Sequence, residues 1–178
     1  MNQAGEVDHQ EVIIPLKNFL TMTHCPPEWR RHDVYLFRDD EVVFYVGQSY
    51  DAFERVWEHL HGGFKGRSVV GRFVLCNWPR SMRFIVELMN SQSTRFDAVG
   101  NSPDAAERHL VEQLSPCFNE AMNRHPTPLP DRYLPPNVLV RRPRGIKRMI
   151  REAGYAVRSE SNKQLWGRQP GQRSMEGK

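Results

Sequence analysis

Between Asp33 and His59 the chain reads DVYLFRDDEVVFYVGQSYDAFERVWEH, and this stretch leaves few folds open. Val34-Tyr35-Leu36-Phe37 and Val42-Val43-Phe44-Tyr45-Val46 are β-branched and aromatic runs on either side of the polar tip Arg38-Asp39-Asp40-Glu41, a pattern that predicts a hairpin. Gly47 ends the second strand. Ser49 or Asp51 then caps a helix that carries Phe53, Val56, Trp57 and Leu60 on one side. Arg55 and His59 are four apart and share a face of that helix. Tyr35 and Tyr45 stand ten apart across the hairpin, and Arg55 lies ten beyond Tyr45. One compact frame therefore presents two phenols, a guanidinium and an imidazole.

The remaining segments suggest what this frame packs against. Val12-Ile13-Ile14-Pro15-Leu16 predicts a strand entering a small helix, after a polar stretch over 1–11 expected to be disordered. Beyond the first long helix, His61 to Arg67 form a glycine-rich loop carrying Lys65 and Arg67, and Val69 to Cys76 read as a third strand. Ser81 to Met89 fit strand and helix periods alike; the consecutive Phe84, Ile85 and Val86 favour a strand. Ser102 as cap and Pro103 in the first turn open a further helix, striped by Leu110, Val111 and Leu114 and ended by Pro116. Six prolines between 124 and 143 mark a linker or a strap along the core. Gly145 to Ala153 predict a basic amphipathic helix with Ile146, Met149 and Ile150 inward, closed by Gly154 and followed by a short strand at Tyr155-Ala156-Val157. The expected class is α+β: a small, mostly antiparallel sheet of three to four strands flanked by helices. Its parts are an extension over 1–30, a core domain over 31–123, and a strap with a basic segment over 124–178.

Composition narrows the partners. Mean hydropathy is −0.65, and no apolar run approaches the roughly 20 residues that span a bilayer. The amino-terminal stretch carries neither a basic n-region nor a long apolar h-region, so the expectation is a cytoplasmic protein without membrane contact. Cys25, Cys76 and Cys117 are scattered, with no zinc-type spacing, which reads as three reduced thiols. The net charge of +4 is uneven: Arg141, Arg142, Arg144, Lys147, Arg148 and Arg151 fall within eleven residues. Such clustering suits a phosphate backbone, whose affinity comes largely from released counterions. Lys65, Arg67, Arg144, Lys147, Arg148 and Arg151 are the candidate nucleic-acid contacts; the plainer alternative is a solvated basic helix.

Downstream, Glu107-Arg108-His109-Leu110-Val111 runs through Pro116 to Asn119. Taken in order, these pieces resemble the GIY-YIG nuclease family. Val34-Tyr35-Leu36 matches the first signature, with Asp33 where the family usually has Gly; Tyr45-Val46-Gly47 matches the second, with Val for Ile; Gln48-Ser49 follows, then Arg55 and His59. The later helix is similar in its Glu, its Leu-Val pair and its Pro-x-x-Asn ending. The resemblance covers about Arg31 to Asn123. It implies Tyr35 as general base or its relay, with Tyr45 and Arg55 on the phosphate. It also implies a metal, Mg²⁺ or Mn²⁺, on Glu107, and Asn119 orienting the site by hydrogen bonds. Asp33 suggests a different backbone before Tyr35, and Gln48 stands where some relatives carry Lys.

Singly, each residue has a structural explanation. The tyrosines can be cross-strand packing aromatics. Arg55 can pair with Glu58 or Asp51, and His59 can cap a helix end. Glu107 falls in a first turn, where an acid is favoured anyway, and Glu112 on the same helix is its rival. Asn119 can be a C-cap. Together they favour a divalent-metal-dependent endonuclease acting on DNA, with strandedness open and a homodimer or a larger complex as alternatives for assembly. The competing readings are a non-catalytic nucleic-acid-binding or partner-docking module, and a nuclease subunit of a larger defence or mobile-element assembly.

Overall fold

The alternation of the hairpin sends Val34 and Leu36 of its first strand to one core and Tyr35 and Phe37 to another. In the computed structural model, which describes residues 11–138 and 144–167, β2 (Val34–Arg38) pairs antiparallel with β3 (Val43–Gln48), Tyr35 opposite Gly47 and Phe37 opposite Tyr45. The register slips after Phe37: Arg38 faces Val43, leaving Phe44 as the extra residue of a bulge. β4 (Ile85–Met89) flanks β2 on its other side, and β1 (Val12–Pro15) pairs with β4. The result is an open, antiparallel, four-stranded sheet of order β1-β4-β2-β3 in an α+β fold.

Tyr35, Phe37, Phe44, Val86 and Leu88 belong to the larger core, with residues of α1 (Leu16–Phe19), α2 (Ala52–Phe64), α3 (Val69–Cys76) and α5 (Ile146–Gly167). Val34, Leu36, Val46 and Met89 point the other way, onto Ala106, Leu110 and Val111 of α4 (Pro103–Leu114). The strand at Val12, the strand ending at Met89, and Ser102 as cap of α4 are as the sequence predicts.

Three expectations need correction. Val69–Cys76 is a helix rather than a strand: Ser68 caps it, accepting from Gly71 N at 3.0 Å, and Val70, Phe73 and Val74 bury its inner side. Packing overrides the β-branched residues here, and a short apolar run is ambiguous by period alone. Gly154 does not close α5, and Tyr155-Ala156-Val157 is helix: half-buried Ala156 and Val157, three and four residues after buried Ala153, continue the stripe of Met149 and Ala153 beyond the glycine. Finally, His61 to Phe64 belong to α2, and only Lys65 to Arg67 form the loop before Ser68, because buried Leu60 and Gly63 continue the helix's inner stripe; Leu16, Phe19, Leu20, Met149 and Ala153 share a core with the hairpin. The stretches 1–10, 139–143 and 168–178, including Arg141 and Arg142 of the basic cluster, lie outside the described residues.

The proline-rich strap is held by specific contacts. Tyr133 packs edge-on against the rings of Phe44, Phe73 and Phe84, and its hydroxyl donates to Asp39 at 2.7 Å. Asn77 pairs both arms of its amide with one strap residue, accepting from Leu134 N and donating to Leu134 O, each at 2.8 Å.

Helices α2 and α3 meet at two glycines. A Cβ on Gly71 would fall far inside contact distance of the His59 carbonyl oxygen, and one on Gly63 would strike the Gly71 backbone. Overpacking of this kind costs about 1–3 kcal/mol, and the clash here is with backbone, which cannot swing aside. Gly71→Ala is expected to lose ~2–3 kcal/mol in urea unfolding; an unchanged midpoint would contradict so close an approach.

Candidate active site

Tyr35 and Tyr45 share a face of the hairpin because the cross-strand partner of each, Gly47 and Phe37, stands two positions from the other tyrosine. Their ring centroids are 6.2 Å apart. The Tyr35 phenol lies directly over Gly47, where any Cβ would overlap its oxygen and ring. Glycine is therefore required at this point of the strand.

Asp51, not Ser49, caps α2, accepting from Glu54 N at 3.0 Å. From that start the buried stripe runs Ala52, Phe53, Val56, His59, Leu60 and Gly63, which sets an imidazole among apolar side chains. A ring buried there needs a partner on each nitrogen. Nε2 lies 2.7 Å from the Tyr35 hydroxyl, and Nδ1 lies 2.7 Å from Ser68 Oγ. The rings of Tyr35 and Tyr45 pack around it at 5.5 and 5.4 Å. Burial foremost, and the Arg55 charge next, push His59 down to about 4, so the ring is neutral at pH 7.

Arg55 stands one turn before His59. It donates to Glu58 at 2.6 Å, and its charge opposes the rise of the Tyr35 phenol. Its side chain is 46% exposed and that of Glu58 62%. An exposed pair of this kind is worth at most about 1 kcal/mol, so little holds the guanidinium away from an anionic ligand. The pairing of Arg55 with Glu58 thus exists without excluding the second role.

Glu107 approaches from the opposite side of the sheet. It lies in the second turn of α4, and Asp104 is the acid of the first. Gln48 ties that turn to the end of β3, its Nε2 donating to Asp104 Oδ1 at 3.1 Å. Glu107 is half-buried, and burial, with Asp104 beside it, holds its carboxyl above the usual range. Its charge reaches both phenols. Tyr35 is raised by burial first, then by Tyr45, with Glu107 adding and Arg55 opposing. Tyr45 is raised by burial and then by Glu107. Glu112, the rival, is exposed.

Asn119 is buried and is not a C-cap; that place is taken by Ser115, in the left-handed conformation. Its side chain accepts from Val46 N at 2.9 Å and donates to Val46 O at 2.8 Å. Cys117 N and Phe118 N donate to the Val43 and Phe44 carbonyls. The segment thereby completes the outer edge of β3 and fixes the backbone between Tyr45 and Gly47. Asp33 anchors the start of β2, accepting from Ser91 N at 2.8 Å and from Ser91 Oγ at 2.7 Å.

The fold brings together Tyr35, Tyr45, Arg55, His59 and Glu107, with Asn119 behind the strand. The basic candidates divide. Lys65 and Arg67 are exposed on the short loop before Ser68, next to the cluster. Arg144 and Arg148 are engaged by Glu152, which also accepts from Trp78 Nε1 at 2.6 Å. Lys147 and Arg151 are exposed on the same helix, which packs on α1 away from the phenols.

Among the described residues no three His, Cys, Asp or Glu side chains gather to hold a metal by themselves. The oxygen donors of Glu107 and Asp104 suit a hard cation that completes its shell with water and phosphate oxygens. Sequence reasoning overlooked Ser68, although a serine three residues before a glycine and a 3–4-spaced apolar stripe is a cap signal. It also missed the Asp33–Ser91 and Gln48–Asp104 links, which join residues far apart in the chain. No family model matches this chain, and neither a curated protein nor a solved structure matches it significantly.

Two outcomes follow from the shifted groups. Unfolded His59 titrates near 6.5 and the folded ring near 4, so its contribution is full above the unfolded value and is lost as pH falls toward 4, by at most about 3 kcal/mol. Wild type should lose more stability between pH 7 and pH 4.5 than His59→Gln, measured by urea unfolding. Glu107 has the opposite sign: its raised folded pKa is a cost to folding above its titration, absent at low pH. Glu107→Gln should be at least as stable as wild type at pH 7, with the difference shrinking on acidification.

Proposed function

We propose that the protein is a metal-dependent endonuclease that hydrolyses DNA phosphodiester bonds, in the manner of the GIY-YIG nucleases its sequence resembles. The single observation that carries the reading is the grouping of two phenols, a guanidinium and a neutral imidazole from β2, β3 and α2, with a carboxylate on α4 near enough for its charge to raise both phenols. Packing alone does not ask for Glu107 there, since its ionised form opposes folding. A carboxylate retained at such a cost is a functional-site signature.

Each group has a task in phosphodiester hydrolysis. Arg55 can fork onto two phosphate oxygens and hold the charge that grows in the transition state. Tyr45, partly exposed beside it, donates to the same phosphate. The Tyr35–His59 pair holds and directs the proton of the attacking water. Glu107, with Asp104 at its side, would hold Mg²⁺ or Mn²⁺. When bound, that cation supplies charge neutralisation at the phosphate and at the departing 3′ oxygen. Asn119 keeps β3 in place, and exposed Lys65 and Arg67 add backbone attraction at the rim.

The test is cleavage of matched duplex, single-stranded and branched DNA, and of RNA, with Mg²⁺ and with EDTA. Nicking that needs Mg²⁺ and falls at least ~100-fold in Glu107→Ala and in Tyr35→Phe is expected. Retained cleavage in purified Glu107→Ala removes the metal assignment. Binding without cleavage of any substrate favours the docking-module reading instead.

A further inference from the structure

Ser68 is outside the set of residues that the resemblance assigns, yet it touches the centre of the cluster. Its hydroxyl has one proton to give and two lone pairs to accept with. One lone pair takes Gly71 N–H at 3.0 Å, as the cap of α3. That amide can only donate. The other polar neighbour among the described residues is His59 Nδ1, at 2.7 Å. Both groups are buried. If Nδ1 carried the ring proton, the Ser68 proton would lack an acceptor inside the protein. If Nδ1 is bare, both are satisfied.

We infer that Ser68 is a positioning residue that fixes His59 as its Nε2–H tautomer, so that His59 donates to the Tyr35 oxygen instead of accepting its proton. With that donor in place, the Tyr35 oxygen points its own proton away from His59, on the side where Tyr45 stands. The glycine contact between α2 and α3 serves this arrangement, because it brings the cap of one helix onto the buried stripe of the other. The catalytic meaning rests on the proposed nuclease reading; the tautomer does not.

The experiment is long-range ¹H–¹⁵N correlation of the histidine rings in the full chain at pH 7. The expected result is a protonated Nε2 and a bare Nδ1 for His59. Ser68→Thr, which keeps a hydroxyl, should preserve that pattern. Ser68→Asp keeps an acceptor for the Gly71 amide but offers no proton, so it should move the ring proton to Nδ1 and slow DNA cleavage ~100-fold relative to Ser68→Thr. A proton on Nδ1 in wild type overturns the inference, with no variant required to fold. So does a Ser68→Asp protein that keeps the Nε2–H form. A wild-type chain with the expected tautomer that cuts no substrate upholds the inference and counts against the nuclease reading alone.

Discussion

A neutral imidazole sits on the apolar stripe of α2, and much of the surrounding architecture can be traced to satisfying it. An unpaired buried polar group costs about 1–3 kcal/mol, and His59 has two nitrogens to satisfy. One is answered from the sheet and the other from the start of α3. Both answers need glycine. Tyr35 reaches the ring only because Gly47 leaves room beneath its phenol, and Ser68 reaches it only because Gly63 and Gly71 let two helices touch backbone to backbone. The three glycines are therefore space for one hydrogen-bonded chain.

The charges around that chain are not arranged for stability. Burial raises both phenols and the Glu107 carboxyl, and Asp104 repels the latter. Arg55 is the nearest relief, and it is shared with an exposed Glu58. Elsewhere the protein settles its charges well: Asp39 is held below its usual range, though burial opposes it, by hydrogen bonds from Arg132, Tyr133 and its own turn. Glu152 gathers Arg144, Arg148 and the Trp78 indole. The contrast marks the phenol cluster as the place where the sequence gives up local optimum, as sites for chemistry commonly do.

How much was legible depended on the range of the interactions. The hairpin, α2, α4 and the strand at Val12 follow from alternation, caps and 3–4 spacing, all local signals. The grouping of Tyr35, Tyr45, Arg55, His59 and Glu107 was reached by resemblance, because nothing local tells Glu107 that it will face the phenols through the far side of a sheet. α3 was read as a strand because Val69, Val70, Phe73, Val74 and Leu75 favour one, and its helical state is decided by the glycine contact with α2. Ser68 was lost with it. Gly154 reads locally as a stop, yet half-buried Ala156 and Val157 extend the stripe of Met149 and Ala153 beyond it. The strap contacts, Tyr133 on three aromatic rings and Asn77 on Leu134, join segments 49 to 89 residues apart and leave no local mark.

Asn119 does something for the molecule beyond its own neighbourhood. By offering Val46 an amide in place of a neighbouring backbone, with Cys117 and Phe118 alongside, it caps the outer rim of the sheet next to the phenols. A foreign strand cannot zip onto the molecule there. If two copies join by extending a common sheet, the edge left for the seam among the described residues is β1, across the width of the sheet from the cluster, and the two phenol clusters of such a pair would lie at opposite ends.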